Sequence, residues 1–439
     1  METIDELISA RWIIPIEPAG MLLAYHAIAV KAGRIVALLS EEDAKQRFTA
    51  KSHTALPNHV VIPGLVNLHA HSAMTLMRGL ADDLPLMKWL TEHIWPAEGK
   101  HVSPEFVYDG TLLAAAEMLR GGITCCNDMY FFPEDAGRAF AEAKMRAALG
   151  LIVIDFPTAY ANDPADYLHK GLAMRDALKH EPLLSYCIAP HAPYTVGDKT
   201  FEQVVTLADE LDLPIHMHVH ETQDEIRESE AKYGVRPLER LHRLGVLGPN
   251  LIAVHSVHLA PGEIEQYAAL GVSVAHCPSS NLKLASGFAP TPALLEAQVN
   301  IGLGTDGAAS NNRLDMFQEI RTAALYAKAL SGRADVLGAM TALRMATLHG
   351  ARALGLEKET GSIEAGKSAD LCAVAMDSLE LAPCYHPASH LVYACGREHV
   401  SDVWVAGKRL LRNRQLTHMD EARLKAKAAL WQTKLMTNA

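Results

Sequence analysis

From about residue 60 to 350, short apolar or β-branched runs alternate with longer amphipathic stretches. This is the pattern of strand–helix units that build a parallel sheet. It predicts strands over Val60–His69, Ile123–Met129, Leu149–Phe156, Leu183–Ala189, Leu213–His220, Leu251–His255, Val272–His276 and Val299–Gly304. Between them it predicts helices over Phe106–Leu119, Ala136–Leu149, Tyr167–Leu178, Thr200–Leu211, Pro237–Leu244, Pro261–Leu270 and Thr291–Glu296, with a last helix over Met340–Leu354. Eight such units in one stretch predict an α/β fold, a closed (β/α)8 barrel of the TIM type, which takes about 250 residues.

The two ends of the chain read differently. Residues 8–40 and 361–411 look like short strands joined by turns. Two β-rich ends flanking a barrel are expected to pair into one small β-sandwich domain; two independent flaps are the alternative. The expected division is residues 1–62 for the first part of the β domain, 63–356 for the barrel, and 357–439 for the rest of the β domain plus a terminal helix.

Composition narrows the function classes. Of the 439 residues, 49% are hydrophobic and 21% charged, which supplies a core and argues against a disordered chain. The net charge of −11 offers no basic face, so a nucleic-acid partner is not expected. No apolar run approaches the roughly 18 residues of a membrane span, so no membrane partner is expected. The start, METIDELISARWIIPIEP, lacks the basic opening and cleavage site of a signal peptide. Seven cysteines, including the neighbours Cys125 and Cys126 but no CxxC pair, do not make a disulfide framework. A reduced, cytoplasmic protein is expected. The unusual count is histidine, at 22.

The histidines fall at strand ends. His69 and His71 close the first predicted barrel strand, and residues two apart on a strand share a face. Alone, such a pair could be only a polar strand end. The fifth strand ends His216-Met217-His218-Val219-His220-Glu221, the sixth ends at His255, and Thr305-Asp306-Gly307 follows the eighth. Active sites of such barrels sit at the carboxyl ends of the strands. Imidazoles and a carboxylate converging there suit zinc or iron(II).

Alternation puts His216, His218 and His220 on one face, so not all three can be ligands. His216 lies deeper and reads as a hydrogen-bonded interior histidine, and His218 is the better ligand. Glu221, beside the ion but not bound to it, could shuttle protons. No lysine stands at the end of the fourth strand to bridge two ions, and the nearest downstream is Lys199, which argues for one metal ion.

Other residues stay open. His191, after the fourth strand, could meet substrate or merely cap a loop. His276-Cys277-Pro278-Ser279-Ser280-Asn281 could be a substrate-contacting rim loop or a polar turn. The long segment Ser72–Ser103 could carry a lid helix, with Trp89 and Trp95 on it, or those tryptophans could simply pack. Spacing does not select Glu98, which could be a surface charge.

Pro63-Gly64-Leu65-Val66-Asn67-Leu68-His69-Ala70-His71, His218 with Glu221, His255, Thr305-Asp306-Gly307 and the closing Gly361-Ser362-Ile363-Glu364-Ala365-Gly366-Lys367-Ser368-Ala369-Asp370-Leu371 resemble the amidohydrolase superfamily. Within it, Met77-Arg78-Gly79-Leu80-Ala81-Asp82-Asp83, Trp95-Pro96-Ala97-Glu98, His191-Ala192-Pro193-Tyr194-Thr195 and Pro278-Ser279-Ser280-Asn281-Leu282-Lys283-Leu284 are most similar to 5′-methylthioadenosine/S-adenosylhomocysteine deaminases.

The resemblance implies one divalent metal ion per chain, zinc ahead of iron(II), on His69, His71, His218 and Asp306. It implies Glu221, Asp306 and His255 as catalytic groups: Asp306 as base, Glu221 as proton shuttle and His255 on the attacking oxygen. Glu98 would hold the ribose hydroxyls, and His191 would contact the nucleoside. The implied reaction is hydrolytic deamination of 5′-methylthioadenosine and S-adenosylhomocysteine, with adenosine as a further candidate, to the inosine analogues and ammonia. A small-molecule nucleoside and further copies of the chain in a homo-oligomer are the expected partners.

Some relatives carry an arginine after the third strand. Here Asp155-Phe156-Pro157-Thr158-Ala159-Tyr160-Ala161-Asn162-Asp163 has no basic residue, so a cation for a homocysteine tail would have to come from elsewhere, from residues such as Arg78 or Lys283 or from a neighbouring subunit. A guanine or chloro-triazine hydrolase is the alternative within the class. A ligand sensor and a non-catalytic barrel scaffold are alternatives outside it.

Overall fold

The structure is a computed structural model describing residues 1–436. Eight parallel strands follow one another in sequence order: Leu65–Ala70, Ile123–Asp128, Arg146–Val153, Leu184–Pro190, Ile215–Val219, Leu251–His255, Ser273–His276 and Asn300–Leu303. They are buried almost throughout, as strands covered on both faces must be. Polar contacts join the first strand to the loop after the eighth. Asn67 Nδ2 donates to Thr305 Oγ1 at 2.7 Å, and the Thr305 N–H donates back to Asn67 Oδ1 at 2.9 Å. The Asp306 N–H reaches the His69 carbonyl at 3.0 Å.

The first predicted strand is in fact two. Phe48–Pro63 belongs to a second sheet, and the barrel begins at Leu65. The break is at Gly64, which lies against Thr124 so closely that a Cβ there would stand 2.1 Å from Thr124 Oγ1. The run of apolar residues through the break hides it from periodicity. The helix expected over Ala136–Leu149 spans Pro133–Glu142 instead, and Lys144 at φ +53° turns the chain into a strand that starts at Arg146. The helices Glu41–Arg47, Gln223–Tyr233, Pro278–Lys283, Met316–Ser331 and Pro387–Tyr393 were not expected. The last expected helix is a succession of Ala339–Arg344, a wider π-type turn over Met345–His349, and Gly350–Ala353.

Both chain ends build the second sheet. Its order is Gln415–Leu416, Lys408–Arg412, Val400–Val405, Leu371–Ala375, Phe48–Pro63, Glu2–Ile13, Leu23–Lys31, Arg34–Ser40. The long strand Phe48–Pro63 runs parallel to Glu2–Ile13 and antiparallel to Leu371–Ala375, joining the two ends. Ile8, Ile28, Ile35, Val61, Leu371 and Trp404 share one core there. Arg146, at the start of the third barrel strand, pairs with Asp370 at 2.9 Å with both side chains buried, tying sheet to barrel. The helix Glu421–Met436 packs back on Pro104–Arg120, where Trp431 Nε1 donates to Asp109 Oδ2 at 2.9 Å. Among the described residues no helix is long and apolar enough to cross a membrane.

Candidate active site

The carboxyl ends of the barrel strands bring His69, His71, His218, His255, Glu221 and Asp306 together. Each imidazole is fixed by one nitrogen, which leaves the other for chemistry. His71 Nδ1 lies 2.5 Å from the Met129 carbonyl, and His218 Nδ1 2.8 Å from that of His191. His69 Nδ1 lies 2.9 Å from His216 Nε2. The Nε2 atoms of His69 and His71 each stand 3.3 Å from Asp306 Oδ1. Asp306 is held at φ +60°, three residues past the end of the eighth strand. Its Oδ2 accepts from Ser280 Oγ at 2.6 Å and Ser310 Oγ at 2.9 Å, and its Oδ1 accepts from the Gly307 N–H at 2.7 Å.

These groups fit a divalent ion. Ligand atoms of His69, His71 and Asp306 lie within 4.8 Å of one another, and so do those of His69, His218 and His255. His69 Nε2 is fully buried without a hydrogen-bond partner, an arrangement native interiors rarely leave unexplained. Burial lowers His69 to about 4 and holds His218 well below the usual histidine range, so both are neutral, the form that binds metal. Burial alone would raise Asp306, but the imidazoles of His69 and His71 beside it hold it well below the usual carboxylate range.

Glu221 and His255 stand beside this cluster. His255 Nδ1 meets Asn281 Oδ1 at 2.8 Å, and its Nε2 lies 3.6 Å from Glu221 Oε2. Burial raises the Glu221 pKa, so its carboxyl holds a proton more readily than an ordinary glutamate. Its oxygen Oε1 accepts only a 3.3 Å bond from Ser286 Oγ. The backbone at this point is pinned by Glu225, whose two oxygens accept the N–H groups of His220 and Glu221 at 2.8 and 2.9 Å.

A cavity of about 290 Å³ is lined by His71, His218, Glu221, His255 and Asp306, and also by Glu98 and His191. Much of its remaining wall is apolar, with Trp89, Trp95, Ile154 and Phe156. Glu98 sits on the helix Trp95–His101, where its Oε1 accepts from Tyr130 OH at 2.7 Å, and burial pushes its pKa up to about 7. His191 is lowered to about 3 by burial and lies 3.1 Å from Thr195 Oγ1.

Several residues fall elsewhere than expected. His220 does not share the face of His218. The strand stops at Val219, and His220 at φ +54° turns its ring toward the Leu238 N–H and Glu263. His276 does not line the cavity; it is buried 5.6 Å from the Tyr326 ring with neither ring nitrogen hydrogen-bonded. The residues after it form the helix Pro278–Lys283, which acts on its neighbours: Ser280 holds Asp306 and Asn281 holds His255. Arg78 is engaged by Glu117 and the Asn312 carbonyl, and Lys283 by Asp82 and Asn312. Among the described residues no lysine or arginine lines the cavity. Sequence reasoning did not assign Ser280, Ser310, Asn281 or Tyr130; the Ser-Ser-Asn run was the one signal available.

The profile of the amidohydrolase family matches residues 60–410, and the chain belongs to that family. A 5-methylthioadenosine/S-adenosylhomocysteine deaminase of Saccharophagus degradans is 46% identical, covering 98% of this chain and 97% of its own. A 5′-deoxyadenosine deaminase of Methanothermobacter thermautotrophicus is 43% identical, covering 82% and 84%. The crystal structure of an adenosine deaminase from Xanthomonas campestris with bound zinc superposes with a TM-score of 0.98 at 52% identity, covering 99% of both chains.

Proposed function

We propose that this chain is a metal-dependent deaminase of adenine nucleosides, acting on 5′-methylthioadenosine, S-adenosylhomocysteine and adenosine. The observation that carries this reading is one cavity lined by both kinds of group the reaction needs. His71, His218 and Asp306, with His69 buried in the same cluster, supply metal donors, while Glu221 and His255 supply proton chemistry. The zinc bound to the Xanthomonas campestris deaminase supports zinc over iron(II). The fourth strand, Leu184–Pro190, is followed by His191 rather than a bridging lysine, which supports one ion per chain.

His69, His71, His218 and Asp306 would hold the ion, which when bound lowers the pKa of water toward 7 and so supplies a nucleophile at neutral pH. Asp306 takes a proton from the water that attacks C6 of the purine. His255 Nε2 hydrogen-bonds that oxygen. Glu221 enters protonated and delivers its proton to ring N1 as the C6–oxygen bond forms. The proton held by Asp306 passes to the exocyclic nitrogen, the hydroxyl proton passes to Glu221, the C6–nitrogen bond breaks, and ammonia leaves a carbonyl behind. The Glu98 carboxylate accepts from the ribose hydroxyls, with Tyr130 fixing its orientation, and His191 contacts the nucleoside.

Ammonia release across adenine, guanine and cytosine nucleosides and chloro-triazines tests the reading. Release confined to adenine nucleosides supports it. Preferred turnover of guanine or a triazine, or of nothing in the panel, overturns it.

A further inference from the structure

His69 and His216 face each other across a 2.9 Å contact between Nδ1 and Nε2, both rings fully buried. Two ring nitrogens 2.9 Å apart leave room for a single hydrogen between them. It can sit in two ways. If His216 Nε2 carries it, His69 bears its own proton on Nε2, pointing at Asp306 Oδ1 3.3 Å away. If His69 Nδ1 carries it, His69 Nε2 is a bare lone pair, and the proton of His216 moves to Nδ1. That second atom is buried and meets no hydrogen-bond partner. The two unpartnered nitrogens, His69 Nε2 and His216 Nδ1, are thus coupled through one shared hydrogen.

We propose that His216 is a positioning residue for the metal site: it accepts the Nδ1 proton of His69, orients that ring, and reserves His69 Nε2 for the ion. The inference rests on the proposed ligand role of His69. It gives the fifth strand two tasks, since His218, two residues on along the same face, is itself a proposed ligand. It also explains a histidine at a fully buried position where an apolar side chain of similar size would pack. Partners of metal-bound histidines typically change affinity by about 10–100-fold when removed.

The experiment measures zinc affinity by chelator competition, and melting of the metal-free protein, for the parent, His216→Leu, His216→Gln and His69→Ala. His216→Leu is expected to bind zinc about 10–100-fold more weakly. Its metal-free form is expected to melt close to the metal-free parent, because losing the partner of His69 Nδ1 is offset by removing the unpartnered His216 Nδ1. His216→Gln is expected to recover most of the affinity through its amide oxygen, and it carries the test if the leucine variant fails to fold. Parental zinc affinity in His216→Leu, or in His216→Gln and His216→Leu an equal loss with lowered metal-free melting, would overturn the proposal. If His69→Ala also keeps zinc, the ligand assignment itself fails; if it releases zinc while His216→Leu does not, only this inference fails.

Discussion

Glu221 is held firmly by its backbone and loosely at its carboxyl. Two oxygens of Glu225 pin the peptide, while the side chain keeps one long bond to Ser286 and lies near His255. A proton shuttle needs that combination of fixed position and free oxygen. Glu221→Gln is expected to retain the metal and lose about 10²–10⁴ in kcat, since an amide cannot transfer the proton. His218→Ala is expected to lose the metal itself. Metal analysis alongside turnover separates the two, and near-normal kcat in Glu221→Gln would remove the glutamate from its role.

Glu98 makes a pH prediction at the same scale. Burial raises its pKa to about 7, so its charged form grows as pH rises through that value. The charged form accepts from both ribose hydroxyls and binds better. KM is therefore expected to fall as pH rises from about 6 to about 8, and Glu98→Gln is expected to raise KM and flatten that trend. A KM profile with the same slope in the variant would contradict the assignment. The strand-end histidines were legible because alternation and strand ends are local. Tyr130 and Asn281 were not, because their partners Glu98 and His255 are 32 and 26 residues away.

Among the elements, the short helix Pro278–Lys283 does more than its length suggests. From one turn it reaches Asp306 on one side and His255 on the other, groups that leave different strands. Ser280→Ala removes one of two hydroxyls on Asp306 Oδ2, leaving Ser310 as the other. A hydrogen bond to a charged group is worth about 1.5–3 kcal/mol. Steady-state kinetics on the variant is expected to show kcat/KM lower by about 10–150-fold at unchanged fold; an unaffected kcat/KM would make the bond incidental. Periodicity missed this helix because Leu282 is its one large apolar residue, too little to set a period. It missed Gln223–Tyr233 because that helix buries little apolar surface, Ile226 being its one buried hydrophobic residue. His220 was misplaced for a backbone reason: alternation fails where φ turns positive.

For the molecule as a whole, the cavity wall decides substrate choice. The loop after the third strand offers Phe156, Pro157, Thr158 and Ala159 to the cavity. Its two carboxylates are occupied elsewhere, Asp155 on the Gly197 N–H and Asp163 capping the following helix. An apolar 5′-thioether suits such a wall. The carboxylate of S-adenosylhomocysteine finds no lysine or arginine among the described residues lining it. Parallel kinetics are expected to give 5′-methylthioadenosine the higher kcat/KM, by at most about 1–3 kcal/mol because a tail reaching solvent can keep its water. A clear preference for S-adenosylhomocysteine would contradict that picture. The barrel was legible as eight repeats of one pattern, whereas the sheet joining residues from both ends could be expected but not ordered from sequence, because its pairings span the whole chain.

The most direct measurement is turnover of 5′-methylthioadenosine by protein stripped with a chelator and then titrated with zinc. Activity is expected to vanish on stripping, to return in proportion to added zinc, and to plateau at one equivalent per chain, with one ammonia released per nucleoside consumed. Undiminished turnover after complete removal of metal, or a plateau at two equivalents, would contradict a single-ion deaminase built on His69, His71, His218 and Asp306.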